Sequence, residues 1–376
     1  MKVEIGRKIK EVFDDLSDRW GAITKFSVRL TVFRIMNRIR NMRSYIREPR
    51  VRDSLRVSGI PAGTEGCIVL THSGVRPIPG YVADCIEQIR LFSDIPVYFV
   101  CNRDKEVPER IADNACVVRI EDVPVSAMHL KFYRKLSSLR SQYDNFFQHT
   151  SERFFILNEV IRSLDLKKVI HMENDILLYE DAGVLIEKMA GLFNDITVPR
   201  MAERYCMAAV MYIPDADSLD GFLDYVLEHV LDKGTNDMIM LAGYLREKGL
   251  TPLPIINREY VSEKGLINKK GDRPPGDHIE EYSLLTDEFG GIFDPAPIGQ
   301  YLGGTDQKPR GVKDNAGYEN VQSYVDISGL DIRWEKDKRG FMPFMYYNEK
   351  KYKIYDLHIH CKELNRFRSD VDRTTA

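Results

Sequence analysis

The chain has 376 residues, with 54 Lys and Arg against 57 Asp and Glu for a formal net charge of −3; hydrophobic residues are 43%, charged 30% and aromatic 10%. That supply of apolar material builds a sizeable core, and it excludes a disordered chain, a collagen-like repeat and a disulfide-stapled miniprotein. No run of about 18 apolar residues is present, and the opening MKVEIGRKIKEVFDDL has neither the continuous apolar stretch nor the small-residue cleavage site of a secretion signal.

The first 56 residues carry 15 Lys/Arg against 7 Asp/Glu, a net of +8, which leaves −11 for the remainder. From Arg19 to Arg47 there is no acid, and Trp20, Ile23, Phe26, Leu30, Phe33 and further apolar residues recur at three- and four-residue steps between the bases. This spacing predicts an amphipathic helical arm. Such an arm suits an anionic membrane surface, or it packs on its own domain or on a partner subunit. The expectation carried forward is peripheral membrane contact through residues 19–47 and no nucleic acid. Pro49, Pro61 and Gly63 punctuate a linker after it, so the predicted organisation is an arm over 1–57 and one domain over 58–376.

From about residue 64 the pattern alternates between strands and helices. GCIVLTHSG reads as a buried strand ending in a turn, and PGYVADCIEQIRLFS as the helix that follows. IPVYFVCN and ACVVRI are two more strands, and a helix is predicted over roughly 126–142. Thr150 and Ser151 are N-cap candidates for a helix presenting Phe154, Leu157, Ile161 and Leu164 on one face. KKVIHM is the next strand. This alternation predicts an α/β fold, a mostly parallel sheet with covering helices. Ligands of such sheets bind beyond the carboxyl ends of the strands, which directs attention to Thr71 and His72, to Asn102 and Arg103, and to the segment after Met172.

That segment, KVIHMENDILLYE, places Glu173, Asn174 and Asp175 directly after a buried strand. Two carboxylates at i and i+2 can converge on one hard divalent cation such as Mn²⁺ or Mg²⁺. The six cysteines form no C-x-x-C pair, which argues against a zinc ribbon and fits a reducing compartment.

The span FFQHTSERFFILNEVIRSLDLKKVIHMENDILLY resembles the core of GT-A glycosyltransferases, in which an Arg-bearing helix precedes a strand and an acidic D-x-D motif; here the motif is Glu173-Asn174-Asp175. The resemblance implies a Rossmann-like mixed sheet that binds a nucleotide-sugar donor. In it Glu173 and Asp175 hold a divalent metal on the diphosphate, and Arg153 contacts the donor. CMAAVMYI, residues 206–213, corresponds to the strand of the acceptor half. GTNDMIML, residues 234–241, begins a helix at which similar enzymes turn an acid toward the reacting sugar. The resemblance thus implies Asp237, with Asn236 beside it, as the catalytic candidate.

In YDLHIHCKEL, residues 355–364, the alternation puts His358 and His360 on one strand face. The resemblance implies that one of the two completes the metal site and that Lys362 holds the leaving phosphate. The Gly- and Pro-rich segment GGIFDPAPIGQYLGGTDQKPRG, residues 290–311, suits a substrate loop. In it Asp294, Gln300, Tyr301 and Asp306 are expected to read sugar hydroxyls, and Gly303 and Gly304 to allow close backbone approach.

The function expected from the sequence is metal-dependent transfer of a sugar to a glycan or lipid-linked glycan hydroxyl. The expected location is cytoplasmic, peripheral on the inner face of a membrane. Two other readings stand beside it. A sugar nucleotidyltransferase of related fold needs a G-x-G-x-R type loop, where this chain has THSGVRPIPG. A non-catalytic membrane-associated scaffold fits the basic arm but leaves the acids and histidines without a role.

Overall fold

A computed structural model of the chain describes residues 60–74, 76–138, 145–230, 235–276, 278–307 and 312–372. The arm over 1–57, its membrane contact and its boundary with the following domain lie outside the described residues. Among the described residues no helix is long and apolar enough to cross a membrane.

The main sheet is built on β1 (Glu65–His72), β2 (Val97–Cys101), β3 (Cys116–Arg119) and β4 (Lys167–Met172), with β5 (Ile176–Leu178) beyond it and β6 (Val210–Ile213) closing one edge. Its order is β3-β2-β1-β4-β6; the first three pairings are parallel and β4–β6 is antiparallel. The expected class, an α/β mixed sheet with covering helices, is therefore the one observed. β1 and β2 read as unbroken apolar runs because both of their faces are covered. Ile68 and Leu70 of β1 pack into one layer while Cys67 and Val69 pack into the other.

The first layer contains α1 (Tyr81–Phe92) and, beyond it, α4 (Ala182–Leu192). The second contains α2 (Ala127–Ser138), α3 (Asn145–Ser163), α5 (Ala216–His229) and α6 (Asp237–Lys248). Three of these helices are started by side chains that accept a first-turn N–H: Asp181 before α4, Asp215 before α5 and Asn236 before α6. Thr150 and Ser151 lie inside α3 rather than at its start; Ser151 is buried in the helix body.

A second sheet packs against the first layer. It comprises β7 (Gly291–Ile292), β8 (Asp331–Asp337), β9 (Gly340–Tyr347) and β10 (Lys350–Ile354), in the order β8-β9-β10-β7. The run FMPFMYY is the body of β9, with Met342, Phe344 and Met345 buried in the core. Over 290–307 the segment forms a helix, α7 (Pro297–Gly303), between two short strands. After β10 the chain returns as β11 (Asp356–His358), antiparallel to β5, which sets His358 opposite Ile176. The strand ends there, and His360 lies in the turn beyond it. The predicted strand over 206–213 is likewise shorter: Cys206 belongs to a hairpin strand, Tyr205–Cys206, and only Val210–Ile213 joins the main sheet.

Candidate active site

β1 sends its connection to β2 on one side, whereas β4, reached after β3, lies on its other side. The crevice beyond the carboxyl ends of β1 and β4 is thus a topological switch point, the place where open α/β sheets bind ligands. The Glu173–Asp175 turn sits there. Asn174 Nδ2 donates to Thr71 O at 2.8 Å, Glu173 N donates to Ala209 O at 3.2 Å, and Ile359 N donates to Asp175 O at 2.9 Å. The turn is therefore fastened to the end of β1, to the segment before β6 and to the segment after β11.

The side chains converge accordingly. Ligand atoms of Glu173, Asp175 and His358 all lie within 4.8 Å of one another. His358 Nε2 is 3.1 Å from Asp175 Oδ2 and 3.5 Å from Glu173 Oε2. Lys362, held at φ 64°, directs Nζ to the same Asp175 oxygen. On the other side Arg153 of α3 donates through Nη1 to Glu173 Oε1 and through Nη2 to Asp237 Oδ2, the latter at 2.9 Å. Arg153, Asp237, Glu173, Asp175, His358 and Lys362 form one continuous chain of charged and polar groups.

The electrostatics follow from burial and pairing. Burial pushes the Glu173 carboxyl up, but the Arg153 guanidinium and His358 overcome it and hold the group well below the ordinary carboxylate range. Burial raises Asp237, and Arg153 opposes the rise without cancelling it. Burial brings the Lys362 ammonium down to about 8.

Two carboxylates and an imidazole are a donor set that accepts a divalent cation of the Mn²⁺ class. Of the two histidines, it is His358 that shares this group. The His360 ring packs on His358 with centroids 4.2 Å apart, and burial lowers its pKa to about 3, which keeps it neutral. Asn236 caps α6, with Oδ1 accepting from Ile239 N at 2.9 Å, and so presents Asp237 in the first turn.

Other expected site residues have different surroundings. His72 Nε2 lies 3.1 Å from Arg76 O, at the mouth of the crevice. Arg103 pairs with Asp122, and its backbone N–H donates to Glu121 Oε2 at 2.8 Å, so its partners belong to the 120–122 turn. Within the described part of the 290–311 segment, the side chains of Asp294 and Gln300 bond inside the protein. Asp294 is fully buried with backbone N–H groups on both oxygens. Gln300 Oε1 accepts from Asn320 Nδ2 at 2.9 Å, and Tyr301 O accepts from Gly317 N at 2.7 Å. A Cβ on Gly303 would come 3.1 Å from Cys361 Sγ, so the close approach it allows is to the protein itself; Gly304 ends α7 at φ 78°. Asp306 is on the strand Thr305–Gln307, and its side chain lies outside the described residues.

Sequence reasoning gave no role to Asn174 or Asp356. Asn174 is the staple between the motif turn and β1, and a short amide inside a strand-end turn is the signal that points to it. Asp356 stands two residues before His358 on β11, fully buried, and Oδ1 accepts from Asp294 N at 3.1 Å. Burial and the neighbouring Asp294 push its carboxyl well above the usual range.

No protein-family model and no curated protein matches this chain. Solved structures with a similar course include mouse xyloside xylosyltransferase 1 in its apo form (8% identity, TM-score 0.37, 58% of this chain and 93% of that one). PaToxG glycosyltransferase overlaps at 11% identity and TM-score 0.35, over 60% of this chain and 80% of that one. GlyE, a glycosyltransferase of Streptococcus pneumoniae TIGR4, overlaps at 13% identity and TM-score 0.31, over 49% and 43%.

Proposed function

We propose that this chain is a metal-dependent glycosyltransferase of the GT-A kind, moving a sugar from a nucleotide-diphosphate donor to a hydroxyl of a glycan or lipid-linked glycan. The observation that carries the reading is the convergence of Glu173, Asp175, His358 and Lys362, from two distant parts of the sequence, at the switch point of the sheet.

Glu173, Asp175 and His358 would hold Mn²⁺ or Mg²⁺. When bound, the ion supplies charge neutralisation for the departing diphosphate. Lys362 adds an ammonium beside it, a point-charge donor suited to a phosphate oxygen. Arg153 places the Asp237 carboxylate next to the Glu173 side of the cluster. In transfer, the glycosidic bond to the diphosphate breaks with its electron pair on the phosphate oxygen, and the acceptor oxygen forms the new bond to the sugar carbon. In an inverting enzyme Asp237 takes the acceptor's proton, and the pKa raised by burial makes it the stronger base for that step. In a retaining one it positions the sugar.

The test is a donor screen with Mn²⁺, reading released nucleotide. Hydrolysis is expected with one donor and is lost in the Glu173→Ala/Asp175→Ala protein; hydrolysis that persists unchanged in that double variant overturns the proposal.

A further inference from the structure

Asp294 lies beneath the cluster. Its carboxylate is fully buried and accepts four backbone N–H groups: Oδ1 from Ala296 and Ile298, both at 2.9 Å, and Oδ2 from Gly299 at 2.7 Å and His358 at 3.1 Å. The first three belong to the start of α7 and are what a helix start requires. The fourth is not part of that start, because it reaches across to the last residue of β11. The Asp294 N–H in turn donates to Asp356 Oδ1 on the same strand, so α7 and β11 are tied in both directions. The two elements are also as close as backbones can be: a Cβ on Gly299 would lie 2.1 Å from His358 O. The His358 main chain is thus held on its N–H side by Asp294 and faced on its carbonyl side by Gly299. Its imidazole is left to project onto Asp175 and Glu173.

We infer that Asp294 is a positioning residue for the cation site, acting through the His358 main chain, with Gly299 as the contact that lets α7 seat against it. The inference rests on the reading of Glu173, Asp175 and His358 as cation ligands. An isosteric amide at 294 has one oxygen fewer to offer four donors, so one pair of N–H groups loses its acceptor. Residues that orient a metal ligand typically change affinity by about 10- to 100-fold when altered.

The experiment titrates the full-length protein with Mn²⁺ alone. Free Mn²⁺ is read by electron paramagnetic resonance, and imidazole ligation by the nitrogen modulation of the bound ion. Asp294→Asn is expected to weaken Mn²⁺ by about 10-fold or more and to diminish the nitrogen signal, and Gly299→Ala to do the same from the opposite side of the strand. In a His358→Ala background Asp294→Asn is expected to cost nothing further, because two changes acting through one group are not additive. An equal loss in both backgrounds overturns the inference. So do Asp294→Asn and Gly299→Ala proteins that bind Mn²⁺ with wild-type affinity and an unchanged nitrogen signal. Wild-type Mn²⁺ binding that is indifferent to Glu173→Ala removes instead the cation reading on which the inference stands, and the inference falls with it.

Discussion

Glu173 and Asp237 share one guanidinium: Arg153 directs Nη1 to the first and Nη2 to the second. A half-buried guanidinium between the half-buried Glu173 and the buried Asp237 couples the Glu173–Asp175–His358 group to the candidate catalytic carboxylate.

Arg153→Met keeps the apolar stem and deletes the charge. Asp237, buried, and Glu173, half-buried, then lose their partner; breaking a fully buried pair costs about 3–5 kcal/mol, and the partial exposure here sets the expected loss below that, at about 2–3 kcal/mol. Unfolding in urea is expected to show a fall of that order. Mn²⁺ is expected to recover more stability in the variant than in the wild type, because the ion takes over the compensation of Glu173. Equal Mn²⁺ stabilisation of the two proteins would place the ion elsewhere.

If the proposed reaction is inverting, Asp237→Asn removes its proton acceptor while keeping the shape of the first turn of α6. General-base contributions run at about 10²–10⁴-fold, so turnover is expected to fall by that factor. Donor affinity in Mn²⁺, measured calorimetrically, is expected to stay close to wild type. A matching loss in affinity and turnover would make Asp237 a binding group instead.

Much of this architecture was legible in the sequence, for physical reasons that can be named. β1 and β2 are covered on both faces, and a strand of that kind has to be written as an unbroken apolar run. The acids of the motif stood out because they follow such a run without a break. What local pattern does not record is partnership. Asp294 looks like an exposed loop acid, yet its donors are Ala296, Ile298 and Gly299 just downstream and His358 far away. The hydroxyls of Thr150 and Ser151 resemble a cap, but the helix had already begun. Alternation in YDLHIH predicts both histidines on one face, and their rings do lie together; what it does not record is that the strand ends at His358, so that His360, in the turn beyond, packs on that ring while His358 meets the carboxylates.

On the proposed function, Lys362 is expected to give donor binding a pH dependence. Its pKa is lowered by burial to about 8, so in the free protein it is charged below that value and neutral above it. Affinity for the nucleoside diphosphate released in the donor screen is therefore expected to decline between about pH 7.5 and 9.5, a range above the second ionisation of a phosphate monoester (about pH 6). Lys362→Arg keeps its charge throughout that range and is expected to flatten the profile. A decline of the same size in the Lys362→Arg protein would assign it to another group.

His129 is shifted the other way, upward, and its deprotonation shows in stability rather than binding. It is buried between α2 and α3, with Nδ1 3.0 Å from Glu159 Oε1 and Nε2 3.7 Å from Glu152 Oε1. Burial lowers its pKa, but the bonds to Glu152 and Glu159 prevail and lift it to about 9, from an ordinary value near 6.5. A group whose folded pKa exceeds its unfolded one stabilises the fold fully below the unfolded value and loses that contribution as pH rises through the folded one. Stability is therefore expected to fall between about pH 6.5 and 9, by on the order of 1–3 kcal/mol. Urea denaturation across that window measures it. The His129→Gln protein is expected to be less stable at pH 6 and nearly pH-independent, since the imidazolium that the two glutamates compensate is gone. A wild-type stability that stays level from pH 6.5 to 9 would mean that the folded protein does not hold His129 protonated above its ordinary range.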